Sequence, residues 1–186
     1  AAPRPARDPY ADEPARHPAL KLLSETPCSA ETPTALIRDH WLTPNELWFV
    51  RNHHPVPHIH GGTFRLSVGG EGVAAPRDYS LDDLRALPRH DVTATIQCGG
   101  NRRGGLNEVR RTAGNAWGVG AISNARWGGV LLRDVLSDCG LAPQGTWAGR
   151  RVRHVHLEGE DGTVASIPVE KATDASGDVL LAYEMN

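Results

Sequence analysis

Apolar and polar residues alternate along several short stretches of the chain, a pattern typical of β-strands with one buried face. The clearest case is the β-branched run DVTATIQ at residues 91–97, which ends directly before Cys98. Similar patterns predict further strands at residues 45–51, 63–68, 151–157, 163–168 and 179–184. The strands are short and irregularly spaced, which argues against a regular βαβ repeat.

Helix signals are also short. Ser80 precedes an apolar residue and two carboxylates, so it predicts a helix N-cap, and Pro88 predicts where that helix ends. Residues 131–138 predict a second helix, with Gly140 just beyond its end, where glycine is favoured.

A third helix is expected at residues 33–39 with Thr32 as its cap, and a short turn is expected at residues 170–173. Short helices between short strands predict the α+β class, with a mixed sheet and short helices around it.

Prolines are concentrated at the start of the chain. Seven of the 14 prolines lie within the first 33 residues, which predicts an extended, turn-rich N-terminal arm over residues 1–40 rather than a packed unit. Residues 41–186 are expected to form one domain. The chain stops at Asn186 directly after a predicted strand, so we expect that domain to be incomplete at its C-terminus.

Composition narrows the possible functions. The chain has 186 residues, of which 39% are hydrophobic and 23% charged, with a net charge of −2. This balance is ordinary for a globular domain and argues against a general nucleic-acid partner. No apolar run approaches the length of a membrane span, so no membrane partner is expected. The sequence contains neither a P-loop nor a Gly-x-Ser-x-Gly elbow, so it indicates neither a nucleotide cofactor nor a serine hydrolase.

The strongest chemical signal is QCGGNRR at residues 97–103. No Cys-x-x-Cys pair is present, so neither a zinc knuckle nor a disulfide framework is indicated. After Cys98, two glycines allow a sharp turn, and Arg102 and Arg103 bring fixed positive charge that favours a thiolate and an oxyanion. A thiolate in such a loop suits a soft metal that acts on an anionic substrate. The alternative is a structural cysteine in a glycine-rich turn.

Histidines offer a second set of possible ligands. HHPVPHIH at residues 53–60 contains four histidines that are able to bind zinc or nickel, but their spacing matches no structural zinc pattern, and a hydrogen bond from one of them to an anion is favoured. His154, His156 and Glu158 alternate along one strand, and a solvated face is favoured over a metal site.

Residues 104–123 are rich in glycine and too polar for a core, which predicts a functional loop. Within this loop, Trp117 is a candidate to stack on a planar cofactor or to form the wall of a pocket. Trp127, by contrast, is expected in the core.

Several segments together resemble the molybdenum domain of the sulfite oxidase family. In family order they are DPYADEPARHPAL at 8–20, LTPNELWFVRNHHPVP at 42–57, YSLDDL at 79–84, TATIQCGGNRR at 93–103, WGVGAISNARWGG at 117–129, and ASIP with VLLAYEMN near the end. The wider family includes eukaryotic nitrate reductase, which is similar around the cysteine and around the RNH segment. The arm, the ARW segment and the LLAYEMN ending resemble sulfite oxidase more closely.

The resemblance implies the sulfite oxidase molybdopterin-domain fold and a molybdenum–molybdopterin cofactor whose metal is bound by the Cys98 thiolate. It implies further cofactor contacts at Phe49, Val50, Arg51, Asn52, His53 and Asp161. It also implies a catalytic set in which Arg51 and Arg103 match the family's anion pocket, Trp117 matches its wall, and Cys98 holds the metal.

The activity implied by the resemblance is the molybdenum-dependent oxidation of sulfite to sulfate by oxygen-atom transfer, a reaction of sulfur metabolism. In the parent enzyme, electrons leave through a b5-type haem, which this chain lacks, to cytochrome c. The parent is expected to be a homodimer, formed through a domain absent here, in the mitochondrial intermembrane space.

Some positions depart from the family pattern. Gly99 replaces the usual alanine, residues 104–106 replace a more polar segment, and Ala113 stands where animal members carry a lysine. The family also continues past Asn186, so we expect this chain to carry only part of the cofactor cage. Three alternatives therefore stay open: an assimilatory nitrate reductase molybdenum domain, a cofactor-free non-catalytic fragment, and a histidine-based zinc protein.

Overall fold

The computed structural model describes residues 8–141, 146–147, 149–176 and 179–186. The strands are β1 (Lys21–Ser24), β2 (Ser29–Glu31), β3 (Val50–Arg51), β4 (Leu66–Val68), β5 (Arg77–Tyr79), β6 (Arg89–Gln97), β7 (Ile122–Leu131), β8 (Thr146–Trp147), β9 (Arg150–Arg151), β10 (His154–Glu158), β11 (Val164–Pro168) and β12 (Leu180–Met185). The helices are α1 (Thr34–Ile37), α2 (Leu81–Ala86), α3 (Arg103–Asn107), α4 (Leu132–Asp138) and α5 (Val169–Thr173). This is a mixed α+β fold with short helices, as predicted.

The chain divides into two units. The first unit comprises residues 1–57, 93–126 and 186, and the second comprises residues 58–92 and 127–185. The three longest strands form one sheet in the order β12-β7-β6. In this sheet β12 is antiparallel to β7, and Leu180 lies opposite Leu131.

In the first unit, β1, β2 and β3 form an antiparallel sheet in that order. Residues 28–32, which include all of β2, are buried. Residues 21–31 form a β1–β2 hairpin that the sequence pattern did not predict. The strands escaped prediction because β2 contains two small residues and a carboxylate, not an apolar alternation. The division between an arm over residues 1–40 and a domain over residues 41–186 stays a prediction.

Two further predictions in the first unit are wrong in detail. Thr32 does not cap α1, because its hydroxyl donates to the carbonyl of Leu47 at 2.6 Å, and the N-cap is Pro33. Residues 45–47 form a single 3₁₀ turn after Pro44 instead of the start of a strand. The predicted loop at 104–123 contains most of α3 and ends at the first residues of β7.

The second unit has two hydrophobic clusters, and α4 contributes to both. Val135 packs with Tyr79, Leu84 and Val130, whereas Leu132 and Leu136 pack with the helix α5. These positions follow the i, i+3, i+4 spacing of one helix face. The helix ends as predicted, because Gly140 adopts a φ of +74° just beyond its C-cap.

The prediction for α2 is also confirmed. Ser80 is its N-cap, the Ser80 hydroxyl accepts a hydrogen bond from the Asp83 amide, and the Asp83 carboxylate accepts one from the Ser80 amide. This reciprocal arrangement satisfies two backbone donors at the start of the helix. Across the described ranges, the helices are all too short or too polar to cross a membrane.

Candidate functional site

Cys98 follows the last residue of β6, and its loop is fixed by backbone hydrogen bonds within the first unit. The Cys98 amide donates to the carbonyl of Ala121 at 3.0 Å, and the Asn101 amide donates to the carbonyl of Cys98 at 2.9 Å. The Gly100 amide donates to the Cys98 sulfur at 3.3 Å. Cys98 is half-buried, whereas the other two cysteines are buried. The loop therefore presents one partly accessible sulfur that already has a hydrogen-bond donor.

An apolar cluster packs against Cys98. Trp117 is 0% exposed and packs with Phe49 and Ala121, and Cys98 packs against the same cluster. A Cβ on Gly100 would lie 2.9 Å from the Trp117 ring, so no side chain fits between the ring and the turn. The Trp117 Nε1 is buried and has no hydrogen-bond partner among the described residues.

Arg103 is held in the same loop. Its amide donates to the carbonyl of Gly100 at 3.0 Å, and its Nη1 donates to the carbonyl of Asn115 at 3.3 Å. A Cβ on Gly114 would lie 2.5 Å from Nη1, so the guanidinium rests directly on that glycine. The Nη2 lies 3.1 Å from the position that a Cβ on Gly100 would take. A planar cation is thus fixed beside the cysteine turn.

The segment 49–53 forms β3 and its flanks. The Phe49 amide donates to the Ser123 hydroxyl at 3.3 Å, and Val50 pairs with Ala30 in the sheet. The Asn52 amide donates to the carbonyl of Cys28 at 3.0 Å. Because the partners Ser123, Ala30 and Cys28 are all buried, the segment is anchored within the first unit.

The side chains of this segment leave several donors available. Arg51 donates through Nη1 to the carbonyl of Asn52, and its Nη2 lies 3.3 Å from His53 Nδ1. The Asn52 Nδ2 is buried without a partner among the described residues. Arg51 and Asn52 therefore combine a cation with an unused amide donor.

Asp161 belongs to the second unit, in the turn between β10 and β11. Its carboxylate accepts hydrogen bonds from the Thr163 amide at 3.0 Å and from the Thr163 hydroxyl at 2.9 Å. The structure thus gives this residue a local role in the turn, and its predicted contact with a cofactor stays a prediction.

Sequence reasoning missed two residues that support the Cys98 loop. The Asn101 side chain accepts a hydrogen bond from the Ala121 amide at 3.1 Å. Glu31 is buried in β2 and accepts a hydrogen bond from the Gly118 amide at 2.6 Å. Asn101 was visible as part of the motif, but no local pattern pairs Glu31 with a glycine 87 positions away.

The histidine alternatives receive no support. His154, His156 and Glu158 are exposed on β10, which confirms the solvated-face interpretation. Within the described ranges, His, Cys, Asp and Glu side chains form no group of three or more with metal-binding geometry. A cavity of about 870 Å³ lies in the second unit; His154, His156 and Glu158 line part of it, whereas none of the residues predicted for the cofactor or the anion does.

Comparison with known proteins shows which family the chain belongs to. The family described as oxidoreductase molybdopterin binding domain matches residues 53–186. The rat protein named mitochondrial sulfite oxidase is 46% identical over an alignment of 190 positions that covers 99% of this chain and 34% of the rat protein. A nitrate reductase from Ulva prolifera is 36% identical over an alignment of 182 positions that covers 92% of this chain and 20% of that protein.

A solved structure has a similar fold. The sulfane dehydrogenase SoxCD from Paracoccus pantotrophus superposes with a TM-score of 0.65 at 25% identity, and the match covers 95% of this chain and 41% of that chain. The chain spans about a third of the length of the rat relative it matches. The sequence-based resemblance and the predicted fold are both confirmed.

Proposed function

Because the chain belongs to the oxidoreductase molybdopterin-binding domain family, we propose that it forms part of the molybdenum domain of a sulfite oxidase, which oxidises sulfite to sulfate. The observation that carries this proposal is the Cys98 turn, where a partly accessible sulfur with a backbone donor lies against a buried tryptophan. The identity to the rat sulfite oxidase, 46%, exceeds the 36% identity to the nitrate reductase, which favours sulfite over nitrate.

The residues present fit a molybdenum–pterin group. A thiolate is a soft ligand suited to a transition metal, and Cys98 is the half-buried cysteine of the three. Buried polar groups normally have hydrogen-bond partners, yet the Asn52 Nδ2 and the Trp117 Nε1 have none among the described residues. Two buried donors without partners are expected where a ligand rich in oxygen and nitrogen completes the site.

When bound, the molybdenum–pterin group supplies the two-electron chemistry of oxygen-atom transfer. The chain supplies the environment for it. The Gly100 amide donates to the Cys98 sulfur and so favours the ligating thiolate. Trp117 and Phe49 exclude water from one side of the sulfur.

Arg103 and Arg51 bind the anionic substrate in this proposal. A guanidinium offers planar, permanently charged donors that match the oxygens of sulfite and sulfate. Arg103 is fixed in place by Asn115 and Gly114, so little side-chain entropy is lost when an anion binds. Phe49, Val50, Asn52 and His53 would contact the pterin from the β3 segment, and Asp161 is kept in the proposal as a further cofactor contact.

The electron acceptor, the oligomeric state and the cellular location of the full enzyme are part of the same proposal. We infer that the full enzyme passes electrons through a b5-type haem to cytochrome c and works as a homodimer. The rat relative is named mitochondrial, which supports a mitochondrial location for this chain, and the intermembrane space is the compartment we propose.

The first test is metal analysis of the purified chain, expressed with a supply of the molybdenum cofactor, beside its Cys98→Ser variant. Molybdenum and pterin near one per chain in the parent, and a loss of at least about tenfold in the variant, are expected. Cys139→Ala is the matched control, because it removes a buried thiol from the second unit and should leave the metal content unchanged.

A turnover assay distinguishes sulfite from nitrate as the substrate. The loaded protein should reduce ferricyanide with sulfite, and it should not oxidise a reduced dye with nitrate. Metal that stays equal in Cys98→Ser would contradict the ligand assignment. Nitrate turnover without sulfite turnover would identify the nitrate reductase alternative, and a folded chain without metal would identify the cofactor-free alternative.

A further inference from the structure

Glu31 is a buried residue of β2. Its carboxylate contacts Gly118, in the segment that holds the Cys98 loop, and not the loop itself. It is 5% exposed, and its Oε2 accepts a hydrogen bond from the Gly118 amide at 2.6 Å. Its Oε1 accepts one from Lys21 Nζ at 2.8 Å, and Lys21 is its cross-strand neighbour in the β1–β2 pair. A buried carboxylate requires such partners, because an unpaired buried charge is strongly unfavourable.

The segment that Glu31 holds is bound directly to the cysteine loop. The Arg102 amide donates to the carbonyl of Gly118 at 2.6 Å, and the Gly104 amide donates to the carbonyl of Trp117 at 2.8 Å. A Cβ on Gly118 would lie 2.7 Å from Glu31 Oε1. A Cβ on Gly104 would lie 2.9 Å from the Trp117 oxygen. The 102–104 and 117–118 segments are therefore in backbone contact, the Glu31 side chain reaches Gly118, and neither Gly104 nor Gly118 has space for an added side chain.

The loop also contains a conformation that needs support. Arg102 has a φ of +68°, a left-handed conformation that residues other than glycine adopt rarely. Such conformations persist where surrounding contacts hold them, and the hydrogen bond from the Arg102 amide to Gly118 is one such contact.

We propose that Glu31 is a positioning residue for the Cys98–Gly104 loop and that it acts through Gly118. Its carboxylate accepts from the Gly118 amide and so fixes the Trp117–Gly118 peptide, whose Trp117 carbonyl accepts from the Gly104 amide. The carbonyl of Gly118, in the next peptide, accepts from the Arg102 amide. Arg103 lies between these two points of attachment, and the Cys98 turn directly precedes them. The consequence for sulfite turnover rests on the proposed function, whereas the consequence for loop geometry does not.

The bond to Gly118 is the important contact of Glu31, not the ion pair with Lys21. Lys21 is 62% exposed, and ion pairs with a solvent-exposed partner contribute little. The partly buried Gly118 amide donates to the buried carboxylate at 2.6 Å, and an N–H···carboxylate bond of this kind is charge-assisted and stronger. The two contacts can therefore be separated by substitution.

Amide hydrogen exchange in the purified, cofactor-free chain tests the proposal. Glu31→Ala should speed exchange in peptides covering residues 98–104 and 117–121 by about tenfold or more, since one charge-assisted bond that holds both segments is lost. Lys21→Met should change exchange there by less than about threefold. Glu31→Gln keeps an oxygen that accepts from Gly118, so it should restore exchange to within about threefold of the parent.

Ser80→Ala is the control for general destabilisation, because it removes the cap of α2 in the second unit. It should leave exchange at residues 98–104 unchanged. In the loaded chain, Glu31→Ala should also lower kcat for sulfite more than it raises KM, because it misplaces groups without removing a substrate ligand.

Equal protection of residues 98–104 in Glu31→Ala and in the parent would overturn the proposal, and so would equal loss of protection in Lys21→Met and Glu31→Ala. Both results concern the loop in the absence of cofactor, so they are distinct from a failure to bind molybdenum or to oxidise sulfite.

Discussion

Replacing Gly120 by alanine adds one methyl group at a point where two backbone segments of the first unit touch. The added Cβ would fall on the carbonyl oxygen of Thr32 and would lie 3.0 Å from the Thr32 carbonyl carbon and 3.2 Å from its amide nitrogen. Backbone atoms cannot swing aside as a side-chain tip can, so the two segments must separate. The hydrogen bond from the Thr32 amide to the Gly120 carbonyl, 3.1 Å long, would then be lost or lengthened.

The magnitude follows from two contributions. Overpacking in a closely packed region costs about 1–3 kcal/mol, and a lost hydrogen bond costs about 0.5–1.5 kcal/mol. We therefore expect Gly120→Ala to lower the free energy of unfolding by about 2–4 kcal/mol. With a urea slope of about 2 kcal/mol per M, the unfolding midpoint falls by about 1–2 M.

Gly105→Ala is the matched control. It adds the same methyl group inside α3, where no atom lies within 4 Å of the new Cβ. Alanine is favoured over glycine in a helix by about 0.5–1 kcal/mol, so this variant should be as stable as the parent or slightly more stable. If urea unfolding gives midpoints within about 0.3 M for both variants, the argument from backbone contact is wrong.

Two predictions concern the second unit. Tyr79→Phe should lower the free energy of unfolding by about 1–2 kcal/mol in urea, because the hydroxyl donates to Asp138 and lies 3.2 Å from the Cys139 sulfur. Burial raises the pKa of Tyr79 far above its usual value, so this loss should be the same at pH 6 and pH 9, and a loss that shrinks with pH would count against it. Hydrogen bonds from the Ser80 hydroxyl and amide lower the pKa of Asp83, so its carboxylate stabilises the fold above its ordinary pKa of about 4, and this stabilisation is lost as pH falls through the lowered pKa. The gap in melting temperature between the parent and Asp83→Asn should therefore close between about pH 4 and pH 2, and a gap that persists at pH 2 would refute the assignment.

Elements with local causes could be predicted from the sequence. The capping box at Ser80 and the end of α4 at Gly140 each depend on residues within a few positions, and both are as predicted. The 3₁₀ turn at 45–47 was missed because Leu47 and the apolar residues after it also suit a strand, and only Pro44 marks the turn. The hairpin at residues 21–31 was missed because the partners of its buried second strand come from distant parts of the chain.

Some residues of the candidate site could also be predicted from the local sequence, and others could not. Cys98 and Arg103 were visible because glycines and arginines surround the thiol in one heptapeptide, and the structure holds both in one turn. The burial of Trp117 depends on β1, the segment just before β3 and the Cys98 turn meeting in space, which no local pattern encodes, and its Nε1 is buried there without a partner among the described residues. Glu31 carried no signal at all, because a single carboxylate in a polar segment ordinarily faces water.

The 87 positions between Glu31 and Gly118 also set an order of events during synthesis. A ribosome adds about 5–20 residues per second, so roughly 4–17 s pass between the emergence of β2 and the emergence of its partner. The Cys98 loop leaves the ribosome inside that interval, before the segment that supports it has emerged. The turn around the sulfur can therefore take its final form only after residue 121 has emerged, and under the proposed function a metal held by Cys98 would enter after that point.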